Sequence, residues 1–252
     1  MKVRGLKVII YILLDVCVCF STVYPKFSRS LDKTGFHREL LTSVDMPREL
    51  LPDYFDGGDI DCHMLFREVI PSGAYVDPFQ LQEQRHFGGP DVKVVDPVDV
   101  EKPEVQSFEI VALVYANLTS DGDSWVASYS LPIHLRYHSI SPDVDNMEVI
   151  FQKPEIFLRC NDAKSGITHY GYRGETVRQE SLGCSSSDII LCDWSMIQLH
   201  QQNSSLHAWV PVGKTGHFTI VTVGTVIATT AACFLLIAKA LKCYTTKGTK
   251  DS

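Results

Sequence analysis

The stretch Trp125-Val-Ala-Ser-Tyr-Ser-Leu-Pro-Ile-His-Leu-Arg-Tyr-His138 decides the fold class. Trp125, Ala127, Tyr129, Leu131, Ile133, Leu135 and Tyr137 fall on one parity, while Ser124, Val126, Ser128, Ser130, Pro132, His134, Arg136 and His138 fall on the other. Successive side chains of a strand point to opposite faces, so this pattern predicts a long β-strand with a core face and a largely polar face. Pro132 has no N–H for a ladder, which places the strand at an edge or bulges or splits it there. On the polar face, His134, Arg136 and His138 stand in a row, and these are candidate partner-contact residues.

Outward from this strand, residues 108–116 are apolar on both parities, as expected of a central strand buried on two faces. The turn-rich residues 117–124 then predict an antiparallel hairpin between the two strands. Short apolar runs at 149–151, 156–158, 189–194 and 206–210 read as further strands, and 91–95 as a short one. Residues 27–52 are weakly patterned, with room for a short strand or a helical turn. Residues 81–89 are polar, 96–103 are linker-like, and 161–187 are Gly-rich and polar, a long loop or insertion. The fold class that results is mainly β: an antiparallel β-sandwich-like domain.

Both ends of the chain speak of membranes. Lys2, Arg4 and Lys7 precede short apolar runs at 8–14 and 16–20, a signal-peptide pattern expected to occupy residues 1–22. Residues 218–238 carry no formal charge, and a helix of that length covers about 30 Å, the thickness of a bilayer core. Lys239, Lys242, Lys247 and Lys250 follow, opposed only by Asp251, and positive charge marks the cytosolic side. The expected arrangement is type I: a lumenal domain over 23–212, a connector at 213–217, a C-terminal transmembrane helix at 218–238 and a basic tail at 239–252.

The formal charge of −7 hides an asymmetry, because the signal segment is +2 and the tail +3, leaving the lumenal part near −12. Such a surface repels phosphate polymers and excludes nucleic acid as a partner. Of eight cysteines, the four in the expected lumenal part are Cys62, Cys160, Cys184 and Cys192. They are disulfide candidates, with the connectivity left open by sequence. Asn117-Leu-Thr119 and Asn203-Ser-Ser205 are sequons, making Asn117 and Asn203 candidate glycosylation sites.

No catalytic constellation emerges. On a strand, His134 and His138 would stand about 13 Å apart, too far to share a metal. The cluster Asp56, Asp59, Asp61 and His63 lacks the Gly and terminal Glu of a calcium loop. Gly-x-Ser-x-Gly, P-loop and Rossmann patterns do not occur. Neither a cofactor nor a metal nor a small-molecule substrate is therefore expected.

Five stretches carry a resemblance: Gly35-Phe-His-Arg-Glu-Leu40, Phe66-Arg-Glu-Val-Ile-Pro-Ser-Gly-Ala-Tyr-Val-Asp-Pro-Phe-Gln-Leu81, Leu131-Pro-Ile-His-Leu-Arg-Tyr-His138, Ile190-Leu-Cys-Asp-Trp194 and Val210-Pro-Val-Gly213. In this order, and with type I topology, the chain resembles the PIG-X family, the small subunit of glycosylphosphatidylinositol (GPI) mannosyltransferase I. Leu135 stands where mammalian members carry a Cys. The resemblance implies a non-catalytic role in the endoplasmic reticulum, stabilising a polytopic PIG-M-like subunit that adds the first mannose to the GPI precursor. A type I cell-surface receptor or adhesion module is the alternative from a different class.

Overall fold

A computed structural model describes residues 24–51, 60–162, 168–169, 176–199 and 205–248. The expected signal segment, Asp56, Asp59 and Asn203 lie outside the described residues. The order of strands is β1 (Lys26–Asp32), β2 (His37–Pro47), β3 (Ile60–Ile70), β4 (Ala74–Tyr75), β5 (Asp91–Val94), β6 (Ile110–Asn117), β7 (Thr119–Asp121), β8 (Ser124–Leu135), β9 (Asn146–Phe151), β10 (Glu155–Asp162), β11 (Thr168–His169), β12 (Thr176–Gly183), β13 (Leu191–Ile197) and β14 (Leu206–Pro211). Helix α1 spans Pro78–Arg85 and α2 Phe218–Gly248.

Two antiparallel sheets face each other. One runs β1-β2-β8-β4 with β7 also on β8, and the other runs β12-β13-β10-β3-β6-β5 with β11 on β10. A two-stranded antiparallel sheet of β9 and β14, distant in sequence, stands beside them. The inner faces share one core. Leu40, Val44 and Met46 of β2 and Ala127, Tyr129, Leu131, Ile133 and Leu135 of β8 meet Met64, Phe66 and Ile70 of β3 and Ile110 and Val114 of β6. Each large aliphatic or aromatic side chain so buried stabilises the fold by about 1.5–3 kcal/mol. The second sheet is also covered on its outer face, where Leu65, Leu113, Phe157 and Trp194 cluster. That is why β6 is apolar on both parities.

The alternation of β8 holds through Leu135 and then fails, for a local reason. Leu135 N donates to Phe36 O (2.8 Å) on β2's side, and Arg136 N donates to Gly73 O (2.8 Å) on β4's side. Odd residues of β8 thus turn their N–H toward β2 and even residues toward the other edge. Pro132 faces that other edge in the gap between β7, which pairs only to Val126, and β4, which begins at His134. Its missing donor therefore costs no ladder bond. Beyond Leu135 the ladder ends and the chain turns. Tyr137, expected in the core, is exposed, and Arg136, expected on the outer face, is buried.

Other expectations are corrected. The β6–β8 hairpin does not form: β6 pairs with β3 and β5, while β8 pairs with β2, β4 and β7. Buried Leu118 carries the chain across the sandwich instead, and the tight turn is the β7–β8 one, where Gly122 takes φ +56°. Within the stretch read as a short strand or helical turn, Lys26–Asp32 and His37–Pro47 form a full β1–β2 hairpin. The polar segment after Pro78 is a helix, started by Asp77 Oδ1, which accepts from Phe79 N at 2.9 Å, and by Pro at its first turn. The region read as a loop at 161–187 contains β12. Helix α2 continues past Ala238 because Lys239, Ala240, Leu241 and Lys242 are good helix formers.

Disulfides join Cys62 to Cys160 and Cys184 to Cys192. Cys62 and Cys160 are register partners on β3 and β10, so that bond links adjacent strands, whereas the second closes the short β12–β13 loop.

Candidate functional site

Three of the five resembling stretches converge at one end of the sandwich, where β8 stops. His37 stands edge-on to His134 (centroids 4.7 Å), His134 stacks on Tyr75 (5.0 Å), and the Arg136 guanidinium lies 4.6 Å from the Tyr75 ring. The result is a column of alternating rings ended by a cation, its members supplied by β2, β8, β4 and the residue after β8. Cation–π contact on a partly desolvated ring adds about 1–2 kcal/mol.

Arg136 is only 4 % exposed. Its Nη1 donates to the carbonyls of Asp99 (2.8 Å) and Lys102 (2.6 Å), pinning the strap that leads from β5 to β6. The strap is held a second time by Glu104 N, which donates to Tyr137 O at 3.0 Å. A guanidinium suits this because one Nη carries two N–H donors and so reaches both carbonyls at once. Burial pulls its pKa down from the ordinary arginine value.

His134 is half-buried against α1, with Nε2 2.7 Å from Gln80 Oε1. Burial, reinforced by His37 and opposed by Asp77, lowers the His134 pKa. The neutral imidazole with its proton on Nε2 donates that bond. His138 Nδ1 donates to Arg136 O at 3.0 Å. Its ring packs on Gly73, where a Cβ would stand 3.1 Å from His138 Nε2 and 2.7 Å from Val149 Cγ2. Gly73 is thus required by close approach. His134, Arg136 and His138 are therefore brought to one end of the domain but not into one outward row, and the exposed member of the motif is Tyr137, whose ring lies tilted against Phe36 (centroids 4.8 Å).

A second polar assembly lies inside the sandwich and was not foreseen. Arg29 of β1 and Glu68 of β3 are fully buried and meet at 2.5 Å, Nη2 to Oε2. Tyr129 of β8 donates its hydroxyl to Glu68 Oε1, and Arg29 Nη1 donates to Gln152 O. Burial pushes the Glu68 carboxyl up, with Arg29 and Tyr129 opposing, and holds the Tyr129 phenol well above its ordinary value. The only sequence signal was parity: Glu68 sits between Phe66 and Ile70, and Arg29 between Phe27 and Leu31, on inward positions. The assembly ties the two sheets together, and Arg29 and Tyr129 also line an open cavity of about 1030 Å³ with Thr42, Tyr115 and Asn117. Among the described residues, no group of three or more His, Cys, Asp and Glu is placed to hold a metal ion.

Asn117 is the exposed last residue of β6, with Oδ1 accepting from His63 Nδ1 at 2.8 Å. Its amide nitrogen is left out of that bond. Near the other end, Thr215–Lys242 is long and apolar enough to cross a membrane, with a mean hydropathy of 2.3 over its most apolar window.

A family model described as PIG-X / PBN1 matches residues 33–241. The Homo sapiens protein named GPI alpha-1,4-mannosyltransferase I, stabilizing subunit, is 26% identical over 211 residues, covering 83% of this chain and 77% of that protein. The Rattus norvegicus protein of the same name is 26% identical over 212 residues, covering 83% of this chain and 79% of its own length. Among solved structures, BcpA, the major pilin subunit of Bacillus cereus, aligns with a TM-score of 0.26 at 6% identity, over 75% of this chain and 56% of the pilin chain. A likeness at that level carries no statement about fold or function. Since the family match runs from the β1–β2 turn through both sheets and into the apolar helix, this chain belongs to the PIG-X / PBN1 family.

Proposed function

We propose that this chain is a non-catalytic stabilising subunit of GPI mannosyltransferase I, supporting a polytopic, PIG-M-like catalytic subunit that adds the first mannose to the GPI precursor. One observation carries the reading: the family match takes in β domain and helix as a unit, and the relatives that cover most of the chain are named as that stabilising subunit. The proposed topology is single-pass and type I in the endoplasmic reticulum membrane, with a signal peptide at 1–22, the β domain over 23–212 in the lumen and the basic tail in the cytosol. Two disulfides suit an oxidising lumen, and exposed Asn117 suits a glycan on its amide nitrogen, which stands outside the bond to His63. Asn203 is the second proposed glycan site.

In this reading the chain holds no cofactor and takes no substrate of its own. His134, Arg136 and His138 serve recognition indirectly, by building the end of the domain next to the helix. The test is co-purification with full-length tagged protein. The catalytic mannosyltransferase subunit should come down with it, and loss of the chain should lower both that subunit's abundance and GPI-anchored proteins at the cell surface. Recovery of no mannosyltransferase, with surface levels unchanged, would refute the proposal. Glycans sensitive to endoglycosidase H are expected at Asn117, and resistant ones would favour the cell-surface alternative.

A further inference from the structure

The end of the sandwich beside α2 carries a rim of uncovered apolar side chains, and the geometry points to this rim as a docking surface for the zwitterionic bilayer interface. The inference rests on Thr215–Lys242 being a membrane span.

Residues 140–145 are fastened to the last residues before the helix. Ser141 N donates to Gly213 O and Val212 N to Asp145 O, each at 3.0 Å. Lys214 Nζ lies 2.7 Å from Asp145 Oδ1, and a Cβ on Gly213 would stand 3.1 Å from Ile140 Cγ2. Between these contacts and Phe218 there is a single 3-10 turn, Thr215–His217, which rises about 6 Å. A segment tied so closely to the start of a span stays within roughly 10 Å of the bilayer boundary.

What this end presents outward is apolar: Phe108 is 86% exposed, Tyr137 73%, Val105 65% and Ile140 57%. The turn Glu104–Gln106, which carries Val105, is joined to Tyr137 through Glu104 N, so these side chains belong to one rim. At that depth an aromatic ring or branched aliphatic gains by entering the headgroup and acyl boundary, where Tyr and Phe are favoured. Glu104, Glu109 and Asp143 adjoin these side chains in sequence, while Asp145 is paired with Lys214, and the remaining negative charge disfavours an anionic surface. A neutral headgroup layer fits both features. Such contact would hold the β domain at a fixed tilt on the membrane.

The comparison surface is the exposed run Ile189, Ile190 and Leu191 inside the Cys184–Cys192 loop. It lies toward the Cys62 end of the second sheet, away from the helix, and nothing in the structure shows what covers it.

Full-length protein is reconstituted in phosphatidylcholine vesicles doped with a phosphatidylcholine whose acyl chain bears a diazirine near the glycerol. After illumination, adducts are mapped by mass spectrometry. Adducts are expected on the first turns of α2 and on residues 105–108 and 137–144, with none on 189–191. The double variant Val105→Asp/Ile140→Asp, altered only at exposed positions, should lose the rim adducts and keep those on α2. Labelling of α2 with the rim no higher than 189–191 overturns the inference. Absence of adducts on α2 as well overturns the span on which it rests.

Discussion

Replacing Arg29 by Met tests the account of the sandwich interior most directly. Arg29 and Glu68 are both wholly shielded from solvent, so water cannot screen the loss. The substitution keeps the aliphatic stem but leaves the Glu68 carboxylate with the Tyr129 hydroxyl as its remaining partner among those described. Removing one member of a buried ion pair costs about 3–5 kcal/mol. For a domain of this size each kcal/mol moves Tm by about 2–4 °C, so a fall of roughly 6–20 °C is expected in thermal unfolding of the full chain in detergent. Neutralising the rest should restore it. The triple variant Arg29→Met/Glu68→Leu/Tyr129→Phe removes charge and orphaned hydroxyl together, and a well-packed apolar replacement is close to neutral or stabilising. The pH dependence has a definite sign. Glu68 has its folded pKa raised by burial, so its contribution is fully present below the unfolded carboxyl value and is lost as pH rises through the folded value. Without Arg29 that rise is larger, and the deficit of Arg29→Met must therefore shrink as pH falls from 7 toward 5. A single-variant deficit below about 1 kcal/mol, or a triple variant no better than the single one, would refute the reasoning.

Three further outcomes follow from the same structure. Gly73→Ala forces a Cβ to 2.7 Å from Val149 Cγ2, and overpacking of this kind costs about 1–3 kcal/mol; adding Val149→Ala should recover most of the lost Tm. Cys62→Ser/Cys160→Ser opens a cross-link of sequence separation 98 and Cys184→Ser/Cys192→Ser one of separation 8. Chain entropy then sets their costs near 4–5 and 2–3 kcal/mol, and the reverse order of Tm would count against that account. His134 has a folded pKa below its ordinary value, so its contribution is complete above about 6.5 and declines as pH falls through that value toward the folded one. His134→Asn should flatten this part of the stability profile between pH 7 and 5.5, and an unchanged slope would show that other groups set it.

The failures of sequence reading share one cause. Polarity alternation reports which face of a strand is apolar, and it located β8, β6, β10 and β14 because their inward residues are hydrocarbon. It cannot report an inward charge, because Arg29, Glu68 and Arg136 are written with the same letters as surface residues. Each is tolerated inside only by a partner that sequence does not place beside it. Glu68 finds Arg29 39 residues away, and Arg136 finds the carbonyls of residues 37 and 34 positions away. The β6–β8 hairpin was expected for a related reason. Two strands joined by a turn-rich segment pair by default, but β6 is apolar on both parities and β8 on one, and strands of such different demand belong in different sheets. A doubly covered strand needs the Trp194 cluster outside it, while β8 needs only the shared core. The pairing of cysteines was open for the same reason as the buried ions: Cys62 and Cys160 meet because β3 and β10 are neighbours in one register, a fact of topology. The positions that defeated the alternation are also those that tie one element to another. Arg29 and Glu68 bind the two sheets, Arg136 binds the strap between β5 and β6, and Gly73 lets β4 close on His138. In a mainly β domain the core face of a strand is therefore legible residue by residue, whereas the contacts that set one layer against another become legible only once the pairing of strands is known.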